Sequence, residues 1–187
     1  GVRLINKKNL QWDISGNIAT VRNKVNHVPG GNFLTEYAGA TLLTQGSRPA
    51  GVFYGYITNG VFSTAEEARI ANLKIKNADG SYRAFGAGDI HFSDINGDNI
   101  IDEKDRRVLG SPMPEYYGGF SSKLTYHRFQ LEALFTYAGG NKIFNYLRYR
   151  LESASSIDNQ LSSVVNRWRA EGQVTNMPKA TYGDPMG

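Results

Sequence analysis

The chain has no cysteine and only three histidines, His27, His91 and His127, among its 187 residues. The first absence excludes a disulfide framework and a zinc-cysteine site, and leaves the cellular compartment open. The histidines lie too far apart in sequence for zinc-ligand spacing. A Gly-x-Ser-x-Gly nucleophile turn is missing, and Gly86-Ala87-Gly88 has neither the third glycine nor the following helix of a phosphate cradle. An enzyme is therefore not expected. No apolar run approaches the roughly 20 residues of a membrane helix, and no secretory leader pattern opens these residues. A membrane strand needs only about 9–11 residues with alternate positions apolar, so that possibility stays open. Net charge is a modest +4. The densest basic group, Arg148, Arg150, Arg167 and Arg169, stands in no recognised nucleic-acid motif, so nucleic acid is not an expected partner.

What the chain has in quantity is glycine (21), tyrosine (11) and phenylalanine (9), a balance that points to a β-rich architecture. Residues 1–25 alternate: Leu10, Trp12, Ile14 and Ile18, then Val25 after a slip, fall on one face, and Gln11, Asp13, Ser15 and Asn17 on the other. The predicted strand, near 10–25, is longer than the five or six residues usual in soluble sheets. The clearest hairpin follows Pro112 and Pro114. Its first arm puts Phe120, Ser122, Leu124 and Tyr126 against Gly119, Ser121, Lys123 and Thr125. His127-Arg128 makes a tight turn, and the second arm puts Phe129, Leu131, Ala133, Phe135 and Tyr137 against Gln130, Glu132, Leu134 and Thr136. Two arms near 116–126 and 129–137, each with an apolar face, aromatics near its ends and a polar reverse, suit a strand pair with lipid on one side and a lumen on the other. A soluble sandwich would show the same alternation.

Between these strands, residues 28–110 read as an irregular loop assembly with short strands such as Val52–Ile57 and Gly88–Ser93. Thr64 with Glu67 three places on is a capping box that opens a helix to about Asn72. Asn77-Ala78-Asp79-Gly80 predicts a hairpin turn. After Gly139-Gly140-Asn141, region 139–187 holds two helical patterns. Ile143, Leu147 and Leu151 mark the first. Leu161, Val164, Val165 and Trp168 mark the second, capped by Ser156 or Asp158. The ending, Asp184-Pro185-Met186-Gly187, has no strand pattern and reads as a cut.

The candidate site is Asp94–Asp105. As a twelve-residue loop it puts oxygen-bearing side chains at places one, three, five, nine and twelve: Asp94, Asn96, Asp98, Asp102 and Asp105. The Ile100 carbonyl falls at place seven. Six to eight oxygens spaced this way suit calcium as a structural ion. Two features depart from the EF-hand pattern: Asn99 takes the place of glycine at the sharp sixth position, and Asp105 is one methylene shorter than the usual glutamate. Before the loop, Gly88–Ser93 reads as a strand and not as a helix, so no EF-hand domain is expected. An Asx-rich turn that binds nothing is the plainer alternative.

Several segments, in order, resemble the SusC/RagA-like TonB-dependent outer-membrane transporters. They are Trp12–Ala19 with Asn23-Lys24-Val25, Tyr54-Gly55-Tyr56 with Gly60-Val61-Phe62, and Gly88-Asp89-Ile90 running into Asp94–Asp98 and Ile101-Asp102. Asp105-Arg106, Gly110-Ser111-Pro112, Tyr117–Phe120 and Gly139-Gly140-Asn141 complete the set. The resemblance implies part of an antiparallel transmembrane β-barrel with long extracellular loops carrying short helices, in the Gram-negative outer membrane. It also implies glycan oligomers or peptides as cargo, a SusD-like surface lipoprotein as partner and TonB as energy source. His127-Arg128 would be a periplasmic turn and outer-membrane lipid the neighbour of the apolar face. The plug and the TonB-contacting segment would lie outside these residues. The competing expectation is a soluble β-rich binding module with a calcium-braced loop. Tyr54, Tyr56 and Phe62 fit sugar-stacking platforms, and fit loop core better.

Overall fold

The computed structural model describes residues 1–77, 79–155 and 157–183. Its strands are β1 (Val2–Lys7), β2 (Leu10–Thr20), β3 (Phe33–Tyr37), β4 (Ala40–Thr44), β5 (Val52–Gly55), β6 (Thr58–Val61), β7 (Lys74–Lys76), β8 (Tyr82–Ala84), β9 (Ile90–Phe92), β10 (Ile100–Ile101), β11 (Arg107–Gly110), β12 (Tyr116–Tyr126) and β13 (Phe129–Gly139). Among the described residues two short α-helices are present, α1 (Ala65–Ala71) and α2 (Tyr146–Glu152). The fold is thus mainly β, and among the described residues no helix is long and apolar enough to cross a membrane. The chain divides into two compact units. The first holds residues 1–34, 43–52 and 110–143; the second holds 35–42, 53–109 and 144–187.

The first unit is built on a four-stranded sheet in the order β1-β2-β12-β13. Its three long strands have 11 residues each, against the five or six usual in soluble sheets. All neighbours are antiparallel, and β12 pairs without a slip to β13, from Tyr116 with Gly139 to Tyr126 with Phe129. It pairs as evenly to β2, from Tyr116 with Thr20 to Tyr126 with Leu10. The β1–β2 pairing carries a bulge between Arg3 and Ile5. Two-residue turns close both hairpins, Lys8-Asn9 and His127-Arg128, and the left-handed backbone the second turn needs falls on His127 (φ 53°). Both turns lie at one end of the sheet. At the other end the chain leaves after Thr20 and re-enters at Tyr116, its direct partner. Sequence alternation carried the predicted strand to about Val25, but β2 stops at Thr20; beyond it Val21 and Val25 hydrogen-bond to the carbonyls of Glu115 and Arg48.

Aromatic rings fill the places that glycines leave in this sheet. Phe120 lies against Gly16, Tyr137 against Gly118 and Tyr116 against Gly139. A ring covering a cross-strand glycine restores the contact that the missing side chain forfeits. A Cβ at Gly118 would collide with the Asn17 carbonyl and the Tyr137 ring, so the close packing there depends on glycine.

The second unit has a small core of Phe62, Ala68, Leu73, Phe85 and Ile101, all buried. Its large side chains contribute roughly 2 kcal/mol each by burial. The predicted capping box is present: Thr64 accepts from the Glu67 N–H, and Glu67 reaches back to the N–H of Thr64. Helix α1 ends on Asn72 in the left-handed conformation (φ 51°). β7 and β8 form the predicted hairpin around 77–81, with Ala78 of that turn outside the described residues.

The second predicted helix does not form. Residues Ser162–Asn166 make only a 3-10 turn, with Leu161 before it and Trp168 beyond it. Paired serines, paired valines and an asparagine are poor helix formers, and Ser163 spends its hydroxyl on Glu152. Val164 is buried, while the Trp168 indole donates to the Ser63 carbonyl. The cap proposed at Ser156 and the tail at 184–187 lie outside the described residues. The four arginines of the densest basic group are engaged within the chain: Arg148 with Glu152, Arg150 with Asp158, and Arg167 and Arg169 with the carbonyls of Val164 and Val165.

Candidate functional site

Two places carry functional geometry, the two-faced sheet of the first unit and the Asp94–Asp105 loop of the second. In the sheet, directly paired residues project to the same side, so the registers sort side chains into faces. One face gathers Val2 with Ile14, Trp12 with Leu124 and Leu131, Phe120 with Phe135, and Tyr126 with Phe129. This face is open: Phe129, Leu131 and Phe135 are 79%, 68% and 60% exposed. Its internal polar need is met locally, since the Trp12 indole N–H donates to the Ser122 hydroxyl at 2.9 Å.

The opposite face carries a row of charges of alternating sign. Arg3 pairs across to Asp13, Asp13 to Lys123, and Lys123 to Glu132. The first of these is a fork-like ion pair, with Arg3 Nε 2.7 Å from Asp13 Oδ1. Ser15 and Ser121 are hydrogen-bonded at 2.7 Å, and Gln11, Thr125, Gln130 and Thr136 continue the polar lining. Cross-strand charges of opposite sign favour this register over a one-residue slip, which would turn the row to the apolar side. Leu134 and Tyr117 are the exposed exceptions on the polar side.

In the second unit the loop follows β9, a strand as expected, and is pinned by β10. Ile101 enters the core, and β10 pairs in parallel with β7. Asn99, at the sixth place, adopts the left-handed turn (φ 62°) that glycine usually supplies there. The carboxylates knit the loop to itself. Asp94 accepts from the N–H groups of Gly97 and Asn99, Asp98 from Ile100, and Asp102 from Lys104. Asn96 donates to Asp98 at 2.9 Å. Asp105 is fully buried, and its two oxygens accept from the N–H groups of Ile95 and Asp102 at 2.9 and 3.0 Å. The Lys104 ammonium stands 3.9 and 3.8 Å from Asp98 and Asp102.

The donor set is made of oxygens alone, as calcium requires. The oxygens are nevertheless spent on N–H groups, and among the described residues no three acidic, histidine or cysteine side chains are gathered to hold a metal. The residues as they stand are a hydrogen-bonded clasp, and binding an ion would exchange some of these bonds. The burial of Asp105, its main structural consequence, has one signal in the sequence: a carboxylate three places after Asp102, the spacing of a capping box. Of the three aromatics considered as stacking platforms, Phe62 is core, and Tyr56 packs edge-on to Phe92 with the Arg106 guanidinium 5.2 Å over its ring.

No family model matches the chain. It is similar to three curated proteins of Formosa agariphila. TonB-dependent receptor P3 is 27% identical over 184 residues, 95% of this chain and 18% of the receptor. TonB-dependent receptor P26 is 27% identical over 179 residues, 92% and 17% of the two chains. TonB-dependent receptor P39 is 32% identical over 129 residues, 67% and 12%. Among solved structures, the RagAB peptide transporter shares the fold with a TM-score of 0.67 at 17% identity, over 95% of this chain and 18% of that one. The RagAB peptide importer in its closed-closed state gives 0.63 at 18% identity. The chain thus spans less than a fifth of the length of the relatives it matches. All are named as receptors or transporters.

Proposed function

We propose that this chain, whose homologues are TonB-dependent receptors, is a stretch of outer-membrane β-barrel wall with its extracellular loop assembly. The observation that carries this is the four-stranded sheet with one open apolar face and one charged face, closed by short turns at one end only. Lipid would meet the Phe120–Phe135 side and the aqueous lumen the Arg3–Asp13–Lys123–Glu132 side. The turns Lys8-Asn9 and His127-Arg128 would be periplasmic, and regions 28–110 and 139–187 extracellular. The whole protein would import nutrients, energised by TonB, with a SusD-like surface lipoprotein. RagAB is named a peptide transporter, so peptides are the cargo to test first and glycan oligomers second.

The test is membrane fractionation of the full-length gene product, run beside variants of the sheet. Wild type is expected in the outer membrane, soluble only in detergent and heat-modifiable. Leu131→Arg and Phe135→Arg should impair its assembly, at a cost of roughly 2–4 kcal/mol at the bilayer midplane and less toward either interface. Thr136→Arg, on the polar side, should assemble normally. Normal assembly of the first two variants would overturn the lipid-facing assignment. A soluble wild-type product would favour a soluble β-rich binding module.

We propose also that calcium occupies the Asp94–Asp105 loop as a structural ion, through Asp94, Asn96, Asp98, Asp102, Asp105 and the Ile100 carbonyl. What supports this is the oxygen-only set at the right spacing together with the left-handed Asn99. Calcium is then expected to slow proteolysis within residues 88–110, and Asp94→Ala with Asp98→Ala to abolish the effect. Equal cleavage of the parent in calcium and in chelator would leave the hydrogen-bonded clasp as the whole of the brace.

A further inference from the structure

We propose that the short-turn end of the sheet is a docking ledge for anionic phospholipid headgroups. The proposal rests on the membrane reading above and adds a partner that reading does not specify. The two turns are neighbours, because the His127 N–H donates to the Asn9 carbonyl at 2.9 Å. They bring together Lys7, Lys8, His127 and Arg128, all exposed. Residues 5–12 and 124–131, which form this end of the sheet, contain no aspartate or glutamate, the next acids inward being Asp13 and Glu132. Among the described residues none of the four basic side chains makes an ion pair.

The register sharpens the point. Lys7 pairs with Leu10, Leu10 with Tyr126, and Tyr126 with Phe129, so Lys7 belongs to the last row of the apolar face. A lysine there lies with its methylenes along apolar surface and carries its ammonium outward to the first available anion. Further along the same row, beyond Leu10, stands an aromatic pair suited to a membrane–water interface, Tyr126 and the 79% exposed Phe129, with the Tyr126 ring edge-on to His127 at 4.5 Å. Apolar rows, then an aromatic row, then unpaired cations form the profile of a bilayer surface, whose phosphates are the anions at that depth. Zwitterionic lipid offers the phosphate with a cation attached; anionic lipid offers it alone.

The experiment uses the full-length protein in nanodiscs of phosphatidylethanolamine and phosphatidylglycerol, with the lipids retained after mild detergent extraction identified by native mass spectrometry. Phosphatidylglycerol is expected to be enriched in the retained lipid. Lys7→Gln with Lys8→Gln and Arg128→Gln should lower that enrichment roughly tenfold or more. Arg22→Gln with Lys24→Gln, just past the opposite end of the sheet, should leave it unchanged. Equal retention of the two lipids by wild type, or an enrichment that survives the triple change, would overturn the ledge while leaving the membrane reading intact. A protein that never enters the bilayer would overturn both.

Discussion

At the scale of single residues, Asp105 does most to hold the candidate site together. Its carboxylate is the buried acceptor for two backbone N–H groups, those of Ile95 and Asp102, and so ties the start of the twelve-residue loop to its end. Asp105→Ala would take the buried acceptor from two part-buried N–H donors, at a cost of roughly 1–3 kcal/mol. Asp105→Asn keeps one acceptor and turns an amide N–H₂ toward the second donor, so it should lose a substantial part of the same stability. The measurement is hydrogen exchange at Ile95 and Asp102. Unchanged protection in Asp105→Ala would show that the clasp is made elsewhere. The sequence placed Asp105 as the twelfth ligand of a calcium loop, with the capping-box spacing from Asp102 as its one sign of a backbone partner; the degree of burial was decided by the packing of the loop.

Among the elements, α1 shows local chemistry surviving intact into the fold. Thr64 and Glu67 make both halves of the capping box, and Glu67 also accepts from the Ser63 N–H at 2.8 Å. That last bond leads the effects that hold the Glu67 carboxyl below the usual glutamate value. A carboxylate whose pKa is lower in the folded state stabilises it above the unfolded pKa. The contribution falls away as pH drops below about 4.5 toward the lowered folded value. Protection of the first turn of α1 should therefore decline on acidification through that window, and Glu67→Gln should lose the decline. Identical acid profiles for parent and variant would remove Glu67 from the cap. The stretch Leu161–Trp168 behaved in the opposite way. Its apolar spacing matched a helix, but propensity was weak, and the Ser63 carbonyl and the Met177 carbonyl claimed Trp168 instead.

For the whole molecule, the long hairpin was legible because alternation, turn and capping are local. A residue's face follows from its parity within the strand, and the tight turn at His127-Arg128 needs only its own backbone. Those features, with the aromatic ends and the absence of a helical span, were determined by the sequence alone. The tertiary structure decided which distant strands meet. β2 lies beside β12 across an intervening segment of some ninety-five residues, and that pairing turns separate alternations into one apolar face and one row of charges running from Arg3 to Glu132. The tertiary structure likewise joined the Lys8-Asn9 turn to the His127-Arg128 turn through the His127 N–H and the Asn9 carbonyl, and buried Asp105. Pairing of this kind depends on hydrogen bonds and ion pairs between residues far apart in the chain, and a local period describes each partner without saying which other strand it will find.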